Sequence, residues 1–177
     1  MNAMQQYAPA LRRLHWLMAV LVLLIYLAIE QRGLFPRGSD GRYVMFQSHF
    51  WLGLSAFVLV FWRLAARRRN GAPAVTPPLP LWQARMATLM HVALYAFFIV
   101  MPLLGLATAW TDGKMLYVPF TQIVVSPLLE TDKALAHTLE ELHGTIGEAF
   151  YWVIGLHMAM ALYHHFVRRD DVLRRML

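Results

Sequence analysis

Four histidines stand in or beside apolar stretches where a lipid-facing helix has no use for imidazole: His15, His49, His143 and His157. His143 and His157 share the segment "LHGTIGEAFYWVIGLHMAMALYHHF" and are fourteen residues apart. On an α-helix that interval is about 21 Å of rise and about 40° of rotation, so one helix face offers imidazoles at two depths. By depth, His49 is expected to pair with His143 near the outer boundary, and His15 with His157 toward the cytoplasm. Two flat tetrapyrroles, each clamped between helices by axial imidazoles, fit this layout, because haem iron is commonly held by histidine in bundle cores. A zinc or other metal site is a second reading, although clustered zinc ligands converge at one depth and these fall at two. A network of interhelical hydrogen bonds is a third.

The other histidines carry less. His164 lies seven residues beyond His157, on nearly the same face and close to the cytoplasmic boundary; His91 lies in the cytoplasmic half of another apolar run. Either is a candidate to line a quinone pocket and move protons, since imidazole titrates near neutral pH, or to be an interfacial polar residue. His165 is expected to reach the head groups, and His137 to lie in an outer connector. Glu148 is an ionisable group inside a span, a functional candidate by default, with snorkelling to the interface as its ordinary explanation.

These residues need elements to hold them. Of the 177 residues, 59% are hydrophobic and 15% charged, against about 25% charged in an ordinary soluble domain. Four apolar runs are long enough to cross a bilayer as helices: about 11–30, 44–62, 86–110 and 144–167. The fold expected is all-α, an integral membrane four-helix bundle forming one domain over 1–177. The first run has no small-residue cleavage pattern and is read as a span, not a removable leader. "NGAPAVTPPLP", residues 70–80, is a connector too rich in proline to be helical throughout, and Pro102 is expected to kink the third span.

Alternating spans divide the basic residues into two groups. Arg12, Arg13, Arg63, Arg67, Arg68, Arg69, Arg85, Arg168, Arg169, Arg174 and Arg175 fall on one side; Arg32, Arg37, Arg42, Lys114 and Lys133 fall on the other. The richer side is expected to be cytoplasmic, which places both termini there. The net charge of +6 is thus read as topology, and no nucleic-acid partner is expected. The absence of cysteine excludes disulfides, thiolate-held iron–sulfur clusters and covalent haem attachment through C-x-x-C-H.

The motifs "RRLHW", "AIEQRGLFPRGSD", "LMHVALYAFFIVMPLLGL", "VIGLHMAMALYHHF" and "DDVLRRM" together cover nearly the whole chain. In them the sequence resembles the prokaryotic cytochrome b561 family, most closely its small four-helix members, which include superoxide oxidase. The resemblance implies two non-covalent haem b groups, with His15 and His157 on the cytoplasmic-side haem and His49 and His143 on the periplasmic-side haem. It implies a multi-pass protein of the bacterial inner membrane that carries electrons between the outer face and ubiquinone. In superoxide oxidase the donor is superoxide, which becomes dioxygen. Other relatives are haem b anchor subunits for a separate dehydrogenase or hydrogenase, so a redox partner protein is the alternative expectation. Arg32, Arg37 and Arg42 follow the first span on the outer face, where cationic surface speeds the encounter of anions; ordinary head-group anchoring is the other explanation of these arginines. His164 and His91 are then the candidates for the quinone and proton side.

Overall fold

The computed structural model describes residues 6–177. Four long helices fill it: α1, Pro9–Gln31; α2, Asp40–Asn70; α3, Leu81–Thr111; and α4, Lys133–Tyr163. All four are long and apolar enough to cross a membrane. Their apolar side chains are mostly not spent on an internal core: Leu23, Trp62, Leu89 and Trp152 all face outward, as a lipid solvent allows. The interior is thin and made largely of small or flexible residues, including Met18, Ala28, Ala56, Val60, Met101 and Ala109. α1 packs along α2 and α3 along α4, and α2 joins the two hairpins to each other.

The helix ends follow from local chemistry. Proline opens α1, where its missing N–H costs nothing. Ser39 caps α2 by accepting from the Arg42 amide at 3.4 Å, and Asp40 follows in the first turn. Arg67, Arg68 and Arg69 occupy the last turn of α2, where the helix dipole favours cations, before Gly71 at φ 68° ends it. These polar ends carry α2 past the expected 44–62 on both sides. α3 stays helical through Pro102 over its whole length.

α4 starts well before the expected 144. Asp132 caps it, its carboxylate accepting from the Leu135 amide at 3.0 Å. His137, expected in a connector, therefore stands in the second turn of α4, exposed, with Nδ1 3.7 Å from Glu141. The charged character of 133–143 hid a helix set by its cap and not by apolar periodicity. Between α3 and α4 a small antiparallel ladder pairs Leu116–Tyr117 with Val124–Val125, an addition to the all-helical plan. Asp112 bridges the two helix ends, 2.8 Å from Lys114 and 2.7 Å from Lys133. Partial burial pushes its carboxyl up, but the two ammonium partners outweigh this and hold its pKa below the ordinary value.

After α4 a π-helical turn, His164–Arg168, leads through Arg169 in the left-handed region to a tail that folds back under the bundle. The Tyr7 amide donates to the Arg175 carbonyl at 3.0 Å, and Trp16 Nε1 donates to the Met176 carbonyl at 2.9 Å. Arg175, itself buried, reaches the Pro73 carbonyl in the α2–α3 connector. The C-terminal tail thus ties Tyr7 and that connector together at one end of the bundle.

Candidate functional site

The helices bring the histidines together in pairs at two levels. At the outer level, His49 of α2 and His143 of α4 have ring centroids 6.0 Å apart with planes at 74°. At the inner level, His15 of α1 and His157 of α4 are 6.3 Å apart at 75°. Two imidazoles on opposite sides of one metal ion, each with a metal–nitrogen bond of about 2.0–2.1 Å, bring their ring centroids about 6 Å apart. Both pairs have that separation. Among the described residues no group of three or more histidine or acidic side chains converges on a single ion.

The outer pair lines a cavity of about 270 Å³ between the two hairpins, near the low end for small-molecule pockets. His49 Nδ1 lies 3.0 Å from the Ile25 carbonyl of α1. A proton on Nδ1 donates there and leaves Nε2 as the free lone pair, the arrangement by which outer-shell partners orient ligating histidines. His143 Nδ1 is buried and has no hydrogen-bond partner among the described residues. On the cavity wall, a Cβ added at Gly53 or Gly144 would meet nothing within 4 Å. Imidazoles facing across an apolar space with glycine on two walls suit a flat, hydrophobic, iron-bearing ring.

Gly105 of α3 has a distinct part. A Cβ there would stand 3.0 Å from His143 Cε1 and 3.4 Å from its Nδ1. In an indifferent helix position, glycine to alanine gains roughly 1 kcal/mol in propensity. Here Gly105→Ala pushes the imidazole off its line. We expect about a 10-fold loss in retention of the iron-bearing ligand at this level, the lower end for disturbed outer-shell support, measured as cofactor per chain after dilution in detergent.

The rim of the cavity is mixed in charge. Arg32 lines it and, among the described residues, has no carboxylate at ion-pair distance. Lys114, which the sequence reading did not single out, lines it as well, paired to Asp112 and 5.0 Å from the centroid of Phe46. Glu30, Glu140 and Glu148 share the rim. Glu30 accepts from the Tyr151 hydroxyl at 2.6 Å, and Tyr26, 4.3 Å from the Tyr151 ring, donates to the Gly147 carbonyl at 2.8 Å. These bonds tie α1 to α4 across the hairpins. Arg37 is exposed in the turn before α2 and is not part of the wall, while Arg42 donates to the Arg32 and Phe35 carbonyls and holds that turn.

At the inner level the structure adds a third imidazole. His91 of α3 lies 5.9 Å from His157 at 75°, as close as His15. His157 stands between two neighbours, and no spacing within one helix could have signalled that α3 would meet α4 here. His164 is buried, with Nδ1 2.6 Å from Asp170; Arg168 Nε reaches the same carboxylate at 3.3 Å. His165 is half-buried, and its Nδ1 has no hydrogen-bond partner among the described residues.

Comparison with known proteins places this geometry in context. Residues 6–177 match the family model described as prokaryotic cytochrome b561. The chain is 34% identical to cytochrome b561 homolog 1 of Escherichia coli (strain K12), over 98% of each protein. It is 31% identical to the probable superoxide oxidase CybB of Yersinia pestis, covering 93% of this chain and 91% of that one. Cytochrome b561 homolog 2 of the same E. coli strain is 27% identical over 99% of this chain and 93% of its own length. The four spans, the paired imidazoles and a match over essentially the whole length make this chain a member of the prokaryotic cytochrome b561 family, multi-pass inner-membrane proteins that transfer electrons with haem b.

Proposed function

We propose that the protein is a superoxide:ubiquinone oxidoreductase with two haem b groups, one between His49 and His143 and one between His15 and His157. Both termini lie in the cytoplasm, and the outer cavity faces the periplasm. The observation that carries this reading is the pair of imidazole couples at two depths, each with the separation a bis-histidine iron requires. The 31% identity to a probable superoxide oxidase supports the choice of donor. Haem b held between these imidazoles would supply a one-electron carrier.

The chain's own groups do the rest. Arg32 on the cavity rim and Arg37 in the exposed turn before α2 attract the superoxide anion to the outer level. Two superoxide anions each surrender one electron and leave as dioxygen. One ubiquinone takes up two electrons and two protons at the inner level. In this reading His164 relays those protons; the bond between its Nδ1 and Asp170, which leaves Nε2 to give and receive, supports that role. His91 stands on the same side. His164→Ala is expected to slow quinone reduction about 10²-fold, within the usual range for a lost general acid, with haem content intact. An unchanged rate removes His164 from the path.

The deciding experiment is a reduced-minus-oxidised spectrum of the purified protein, followed by superoxide pulses with and without ubiquinone. A b-type band that superoxide reduces and quinone reoxidises is the expected result. A b-type band indifferent to superoxide would leave the anchor-subunit reading, which the exposed apolar residues Phe120, Ile123 and Leu128 of the outer connector favour as a docking surface. Copurification of a dehydrogenase would then identify the donor.

A further inference from the structure

α2 presents His49 to the outer level, and fourteen residues along the same helix stands Arg63. The same interval separates His143 from His157 on α4, so Arg63 comes to the inner level on nearly the same face as His49. That level is the one where His15, His91 and His157 meet. α2 therefore contributes an imidazole to one level and a guanidinium to the other.

Among the described residues no anion completes that guanidinium. Its Nε is buried with no hydrogen-bond partner, and its carbon lies 5.8 Å from the centroid of the Tyr95 ring. Among the described residues no carboxylate lies within ion-pair distance of it. Other arginines at this end are engaged: Arg12 with the Leu177 carbonyl, Arg168 with Asp170 and Gln83, Arg175 with Asp171 and the Pro73 carbonyl. A cation withdrawn from water without a counter-charge is costly and persists where a ligand supplies the anion. Arginine's planar fork suits a carboxylate in particular.

We propose that Arg63 is the carboxylate clamp of the inner level, binding a propionate side chain of the haem that His157 holds. The assignment rests on the two-haem reading given above. A fixed positive charge at this position favours the reduced state of the inner carrier over the oxidised one. Electrons arriving from the outer level are thereby drawn inward, toward the quinone side.

The test uses purified holoprotein with Arg63→Gln and Arg63→Lys, followed by redox titration and resonance Raman spectroscopy. The band lost in His157→Ala marks the inner haem. Arg63→Gln is expected to lower the inner midpoint potential and shift the inner propionate-bending band, leaving the outer haem unchanged. Arg63→Lys should keep most of the potential, because the charge remains, yet still shift the band, because an ammonium lacks the fork. Loss of the inner haem alone in Arg63→Gln, with the outer one retained, also supports the clamp. A potential that moves while the propionate band does not would place the anion elsewhere, such as a lipid phosphate, and overturn the assignment. So would an inner haem indifferent to both changes. Wild-type protein without an inner haem overturns the two-haem reading and this one together.

Discussion

On the two-haem reading, replacing His143 by alanine is expected to remove about half of the b-type absorbance, since the outer of the two sites loses one of its imidazoles. Superoxide-driven quinone reduction should fall to background. Among the described residues His143 has no substitute at the outer level: its partner His49 is the other histidine on the cavity wall, and α3 brings no imidazole to it. The inner pair, about 21 Å away along α4, should keep its haem, which serves as the control for folding and insertion. Haem per chain by pyridine haemochromogen, set beside the rate with superoxide, decides the matter. Full haem occupancy in this variant would show that the outer pair is not a ligand pair.

His157→Ala should have the complementary effect, and the geometry makes it the stronger of the inner substitutions. His157 is within 6.3 Å of His15 and 5.9 Å of His91, so its loss abolishes both couples at once. Removing either neighbour alone leaves an imidazole at a suitable separation. The inner haem should vanish, the outer haem should remain reducible by superoxide, and delivery to quinone should stop, giving a protein that charges once and does not turn over. A stopped-flow trace with one rapid reduction and no quinone-dependent reoxidation is the signature. If the inner haem persists without His157, the ligands are His15 and His91, and α4 is not the common post.

Much of this was readable in the chain because membrane helices announce themselves. Apolar runs fixed the number of spans, and a fourteen-residue interval on one helix forecast two levels before any fold was known. The ends of the helices were harder. Asp132 and Ser39 set them through side-chain caps, and the turns they begin are charged, so hydropathy ends early and His137 was misplaced. Interhelical neighbours were harder still. His91 beside His157, Lys114 on the outer rim and Gly105 against His143 each depend on how α3 is rotated about its axis. α3 is apolar nearly all round, so its own pattern names no inward face. Asp170 on His164 depends on a π-helical turn followed by a left-handed residue, a local geometry that no periodicity announces.

The interval that separates Arg63 from His49 recurs in every helix. Ile29 of the outer cavity lies fourteen residues from His15, and Gly105 the same distance from His91, as His143 does from His157. Fourteen residues are close to four whole turns, so each rod shows both storeys one common face. Adding or deleting a single residue between them would swing one storey round by about 100° while the other kept its grip. Length between the storeys is thus constrained more tightly than composition: lipid-facing side chains there are free to vary, but the count of residues is not.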